Sequence, residues 1–120
     1  GRPNLSRKMI DSLDLKLVFE IFSVNFAHEK TDGLKKRVGF EFTDPNQSFT
    51  LFVENGVAVS SDGLAEKLDI HMKCSSRLFK NFIVKKSSAF NLLASCSFPK
   101  GNSIKMARFL ALFRPSEFKN

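Results

Sequence analysis

The 120-residue chain has no Trp and no Tyr, only two Cys and two His, and not one acidic residue between Ile70 and Ser116. Each absence excludes something. With all 14 aromatic residues being Phe, no indole or phenol is available as a polar handle, and rings at helix or strand periodicity read as core rather than as stacking platforms for bases. Cys74 and Cys96 have a spacing that fits neither a zinc ribbon nor a redox pair, so two buried reduced thiols are expected, which points to a reducing compartment such as the cytoplasm. The apolar stretches are interrupted by Lys, Glu, Ser or Asn every few residues, well short of the roughly 18 to 20 uninterrupted residues of a spanning helix.

Catalytic material is equally scarce. Neither His28 nor His71 has a carboxylate pattern nearby that fits a triad or a metal site, and there is no P-loop or dinucleotide-binding glycine fingerprint. Carboxylates sit singly in the first half. The expectation is a non-enzymatic chain that needs no cofactor or metal. Gly1-Arg2-Pro3-Asn4 lacks both an initiator Met and an apolar signal core, as in a processed chain or an excised domain. Residues 1–12 read as a linker or lead-in, and 13–120 as one domain.

What is present is charge, and it is unevenly placed. The formal net charge is +7. Gly1 to Asp69 carries nine basic and eleven acidic residues, whereas Ile70 to Ser116 carries nine basic and none acidic. Such a block favours an anionic partner: nucleic acid, a lipid headgroup or an acidic protein. It is also compatible with ordinary solvated faces whose counter-charges lie in the first half.

Periodicity then supplies the elements. Leu13 to Phe26 has helical spacing at Leu15, Val18, Phe19, Phe22 and Phe26, with Ser12 or Asp14 as N-cap. Leu17, Ile21 and Val24 add a second apolar face, which predicts a helix buried on most sides, packed between two layers or bordering an apolar internal space. Beyond Asp32-Gly33 the period becomes two. Val38, Phe40 and Phe42 alternate with Arg37, Gly39 and Glu41, and after Asp44-Pro45-Asn46 so do Phe49, Leu51 and Val53 with Thr50, Phe52 and Glu54. Asn55-Gly56 is a strong hairpin signal, since both central residues of a type I′ turn need positive φ. A short strand from Val57 to Ser60 and another through Leu68, Ile70, Met72 and Cys74 extend what reads as an antiparallel meander.

Ser75 or Ser76 caps a helix through Leu78, Phe79, Phe82 and Ile83, and Ser87 or Ser88 caps a shorter one through Phe90 to Ala94. Ser95 to Pro99 reads as a fifth strand, at an edge because of the proline. Gly101-Asn102-Ser103 starts a last helix, Ile104 to Phe113. Strands followed by helices predict an α+β domain: a five-stranded, mainly antiparallel sheet with helices packed on one face.

The ordered motifs KRVGFEFT at 36–43, FTLFVENGV at 49–57, LDIHMKCS at 68–75, and Lys100-Gly101-Asn102 leading into MARFLALFRP resemble the sterol carrier protein superfamily. More narrowly, they look like the C-terminal domain of alkyl sulfatases. Two positions depart from the pattern: Asn102 stands where an acidic residue is usual, and Pro99 interrupts the fifth strand. The resemblance implies an apolar tunnel between sheet and helices that accepts sterols, fatty acyl chains or other long amphiphiles. It also implies a zinc-dependent catalytic domain upstream in the sulfatases, with the C-terminal domain helping to take up the alkyl chain.

Residues and resemblance together lead to an amphiphile-binding module. Phe19, Phe22, Phe40, Phe82, Leu93, Phe109 and Phe113 are the candidate lining, and Lys85, Lys105 and Arg108 the candidates to attract an anionic head. Docking to an anionic membrane surface and homodimerisation fit the same picture. The alternatives are a structural or oligomerisation domain whose tunnel is filled with Phe, and a basic nucleic-acid-binding module, which the core-like periodicity of the Phe residues makes the less expected.

Overall fold

The computed structural model describes residues 12–25, 31–84 and 88–112. In chain order these form α1 (Leu15–Val24), β1 (Lys35–Thr43), β2 (Gln47–Glu54), β3 (Val57–Asp62), β4 (Ile70–Ser75), α2 (Ser76–Val84), α3 (Ala89–Ala94), β5 (Ser97–Lys100) and α4 (Ser103–Leu110). The strands make one sheet in the order β3-β2-β1-β4-β5. This is the predicted α+β class, a mainly antiparallel five-stranded sheet carrying its helices on one face.

One pairing departs from the sequence reading. β4 is not the fourth strand of a meander: it crosses back to pair in parallel with β1, Val38 opposite Ile70 and Phe42 opposite Cys74. The physical reason lies in residues 63–69, which lead the chain from edge strand β3 across the sheet face that carries no helices. Thr50 holds this segment, its Oγ1 donating to the Gly63 carbonyl at 2.7 Å and accepting from Ala65 N at 2.9 Å. Gly39 leaves room for it, because a Cβ at that position would meet Leu68 Cδ1 at 2.5 Å. Asp69 then locks the arrival at β1, its N donating to the Arg37 carbonyl at 2.7 Å while its Oδ2 accepts from Arg37 N at 2.8 Å. The β2–β3 hairpin follows its turn chemistry, with φ of +50° at Asn55 and +83° at Gly56.

The opposite face is the core. Val38, Phe40, Phe42, Phe49, Leu51, Val53, Ile70 and Met72 all lie within one buried cluster with the inner residues of the helices. Phe19 of α1 sits at its centre, its ring centroid 4.8 Å from Phe49, 5.0 Å from Phe40, 5.7 Å from Phe22 and 5.9 Å from Phe79. Offset and edge-on contacts of this kind add to the gain from burial.

The helix α1 is less enclosed than its composition predicts. Leu15, Val18, Phe19 and Phe22 are buried, but Leu17 is 53% and Val24 70% exposed, and the polar Ser23 is buried with its hydroxyl donating to the Glu20 carbonyl. A single sheet lies beneath the helix, so one stripe is covered and the other faces solvent. Caps hold the later helices: Ser75 Oγ accepts from Leu78 N, Ser88 Oγ from Asn91 N, and Asn102 Oδ1 from Lys105 N at 2.8 Å.

Candidate functional site

At the end of the sheet where β1 and β4 begin, α4 stands off the strands and leaves a cavity of about 440 Å3, open on one side. Its apolar lining is Leu34, Ile70, Phe109 and Leu112; its charged lining is Lys36, Lys105, Arg108 and Asp69. The backbone dictates this mixture. β4 alternates, so Ile70 points to the helix layer, while α4 turns Phe109 inward and Lys105 and Arg108 outward from adjacent positions of the same helix. Gly101 holds the chain tight before α4, its Cα close enough that a Cβ would lie 3.3 Å from Ile70 Cγ2.

The charges do not cancel. Asp69 already accepts a hydrogen bond from Arg37 N, and three cations share the rim with that one carboxylate. The ion pairs of Lys16 with Asp62 and of Lys73 with Glu41, and the hydrogen bond between His71 and Glu41, involve none of the residues that line this cavity. The arrangement is an apolar floor beneath a net positive rim, which can take an amphiphile with an anionic head. No group of three or more His, Cys, Asp or Glu suited to a metal ion occurs among the described residues.

A second concavity of about 330 Å3 lies on the far flank of α4, against α3. Its lining is almost wholly apolar: Phe90, Leu93, Ala94, Ile104 and Ala107, with Ser103. Phe90 is 79% and Ile104 64% exposed. α4 therefore separates a basic cavity from an apolar groove.

The residues singled out from the sequence are dispersed among three places. Lys105, Arg108 and Phe109 come together in the basic cavity, and Leu93 lines the groove. Phe19, Phe22 and Phe40 lie in the packed ring cluster, fully buried, and Phe82 is buried on α2. Phe113 and Lys85 fall outside the described residues. Sequence reasoning missed Lys36, Ile70, Leu34 and Leu112. Lys36 was visible within the basic run Lys35-Lys36-Arg37, but its place beside α4 depends on β1 and β4 being neighbours, which periodicity does not encode. The thiols also differ from expectation: Cys74 is buried, Cys96 only partly so.

Known proteins share this architecture. No curated protein matches the chain. Among solved structures, the stereoselective inverting sec-alkylsulfatase Pisa1 from Pseudomonas sp. is similar at 21% identity and a TM-score of 0.72, over 96% of this chain and 20% of that one. Sterol carrier protein 2 is similar at 13% identity and a TM-score of 0.53, over 87% of each chain. A conserved hypothetical protein from Thermus thermophilus is similar at 12% identity and a TM-score of 0.54, over 96% of this chain and 85% of that one. The chain thus spans about a fifth of the length of the sulfatase it resembles and nearly all of the small carrier fold. The family model for the alkyl sulfatase C-terminal region matches residues 3–119, and with nearly the whole sequence so covered, the chain belongs to the alkyl sulfatase C-terminal family.

Proposed function

We propose that the chain is a lipid-binding domain, and that it holds a long-chain amphiphile with an anionic head without itself carrying out chemistry. The observation that carries this reading is the basic cavity, where Ile70, Phe109, Leu112 and Leu34 lie beneath Lys36, Lys105 and Arg108. A carboxylate or sulfate would be attracted to the rim, and the alkyl chain would gain about 0.8 kcal/mol per buried methylene before ordering costs. About 440 Å3 lies within the range of small-molecule sites. An alkyl sulfate is the head-and-tail chemistry that the family points to, and in a longer protein the domain would present the chain to a catalytic part elsewhere.

On this reading the ligand lies away from the middle of the domain, because Phe19, Phe22, Phe40 and Phe79 already occupy the space beneath α1 with one another. The exposed Phe90 and Ile104, flanked by the acid-free second half of the chain, fit docking to an anionic membrane surface from which an amphiphile is collected.

Titration with dodecyl sulfate and with dodecanol tests the reading. Saturable binding of dodecyl sulfate at micromolar protein is expected, with dodecanol weaker by about tenfold, the order of one charge-assisted hydrogen bond. Failure of both to saturate would overturn it. The packed ring cluster favours a second reading, a structural or oligomerisation domain, and that one predicts a concentration-dependent dimer by light scattering with no amphiphile bound.

A further inference from the structure

The two cysteines are separated by 21 residues in sequence and meet across a strand pair. Lys73 of β4 is the registered partner of Ser97 of β5 in an antiparallel ladder, and the irregularity in that ladder lies on the other side, between His71 and Lys73. Continued one step, the same register sets Cys74 of β4 opposite Cys96, the residue that immediately precedes β5. Directly opposed residues of an antiparallel pair have Cα atoms roughly 4.5 to 5.5 Å apart and side chains on the same face. A disulfide needs about 4.4 to 6.8 Å.

The side chains bear this out. Cys74 belongs to the buried cluster beside Met72 and Ile70, on the face that carries the helices. On that same side, Cys96 Sγ donates to the Leu92 carbonyl of α3 at 3.0 Å. Cys96 packs against that same cluster, and the two thiols have unequal environments. Hydrogen bonding to Cys96, reinforced by burial, pushes the Cys74 thiol up, whereas accepting from Cys74 holds Cys96 down. Cys96 is also the more accessible of the two. One sulfur is thus suited to react with an external agent and the other to resolve the product from inside.

We propose that Cys74 and Cys96 form a thiol–disulfide modification site, closed across the β4–β5 ladder by a small disulfide oxidant. In the first step the Cys96 thiolate attacks one sulfur of the oxidant, forming a mixed disulfide and releasing one thiolate. In the second, the Cys74 sulfur loses its proton to solvent and attacks the Cys96 sulfur, forming the protein disulfide and releasing the second thiolate. The protein loses two electrons and two protons; the oxidant becomes two thiols. Closure removes the Cys96 S–H that Leu92 was accepting, so β5 exchanges a tether to α3 for a covalent one to β4. α3 supplies Leu93 and Ala94 to the apolar groove, which couples the state of the pair to that surface. The inference does not depend on the amphiphile reading, since neither cysteine lines the basic cavity.

The test incubates the folded protein with glutathione disulfide, alkylates remaining thiols under denaturing conditions, and maps peptides by mass spectrometry without reduction. The expected product is a linked pair of peptides containing Cys74 and Cys96, lighter than the two reduced peptides by two hydrogens, and restored by dithiothreitol. Cys74→Ser is expected to accumulate the glutathione adduct at Cys96, and Cys96→Ser to leave Cys74 unmodified. Wild-type protein that stops at the Cys96 adduct, or keeps both thiols free while the guanidinium-unfolded chain oxidises, would overturn the proposal. The wild-type peptide map decides the matter even where a serine variant fails to fold.

Discussion

The two ends of the helical layer use the same residue in opposite ways. Under α1, Phe19, Phe22, Phe40, Phe42, Phe49 and Phe79 stack and abut with centroids 4.8 to 6.4 Å apart, and each is at most 3% exposed. At α4, Phe109 is buried too, yet one side of its surroundings is an open cavity with cations on the rim. The difference is one of neighbours. α1 meets rings from β1, β2 and α2, whereas Phe109 of α4 borders, with the aliphatic Ile70, a cavity that Lys105 and Arg108 also line. Aromatic content by itself therefore does not mark a ligand site. A ring surrounded by rings makes a core, and a ring beside an open, cation-rimmed cavity makes a candidate site.

This contrast can be broken at either end. The largest effect is expected from Phe19→Ala, which removes the hub of the cluster: a loss of about 3–5 kcal/mol in urea unfolding, the range for buried Phe truncation. A loss below about 1 kcal/mol would mean that the region is loosely filled and that a ligand space exists there. Next is the double reversal Lys105→Glu with Arg108→Glu. Dodecyl sulfate affinity should fall by about tenfold or more, while the unfolding midpoint stays nearly unchanged, because exposed charges contribute little to stability. Equal loss for dodecanol would show that the head is not read by these cations.

Asn102→Ala sharpens the comparison from the backbone side. It deletes the acceptor for Lys105 N and should cost about 1 kcal/mol, with a several-fold weaker amphiphile affinity because α4 carries the rim. The same truncation at the α3 cap, Ser88→Ala, should cost a similar amount and leave affinity alone. Smallest in stability is Phe90→Ala, expected to shift unfolding by less than about 0.5 kcal/mol as an exposed surface change. Its readout is sedimentation with phosphatidylserine vesicles, where partitioning should drop; unchanged partitioning would remove the α3–α4 groove from any role in docking.

Much of this layout was legible. Period-two alternation and turn signals together located all five strands, serine and asparagine marked the helix starts that Ser88 and Asn102 in fact cap, and Asn55-Gly56 fixed one hairpin. What escaped was whatever depends on two distant segments being side by side. The parallel placement of β4 on β1 is set by how residues 63–69 cross Gly39, and that crossing brings Lys36 to Ile70 and α4. Likewise the α1 pattern is apolar on two sides, yet only the presence or absence of a second layer decides whether Leu17 and Val24 are covered.

By itself the sequence determined the elements, the inward faces and the division into an acid-rich half and a basic one, since those follow from local periodicity, turn chemistry and composition. Only the tertiary structure decided which Phe residues fill space and which border it, where the cations converge, and that Cys96 packs against the cluster holding Cys74. The reason is physical. Local patterns fix which way a side chain points, but strand order and register fix what it meets, and those are chosen by the packing of the whole domain.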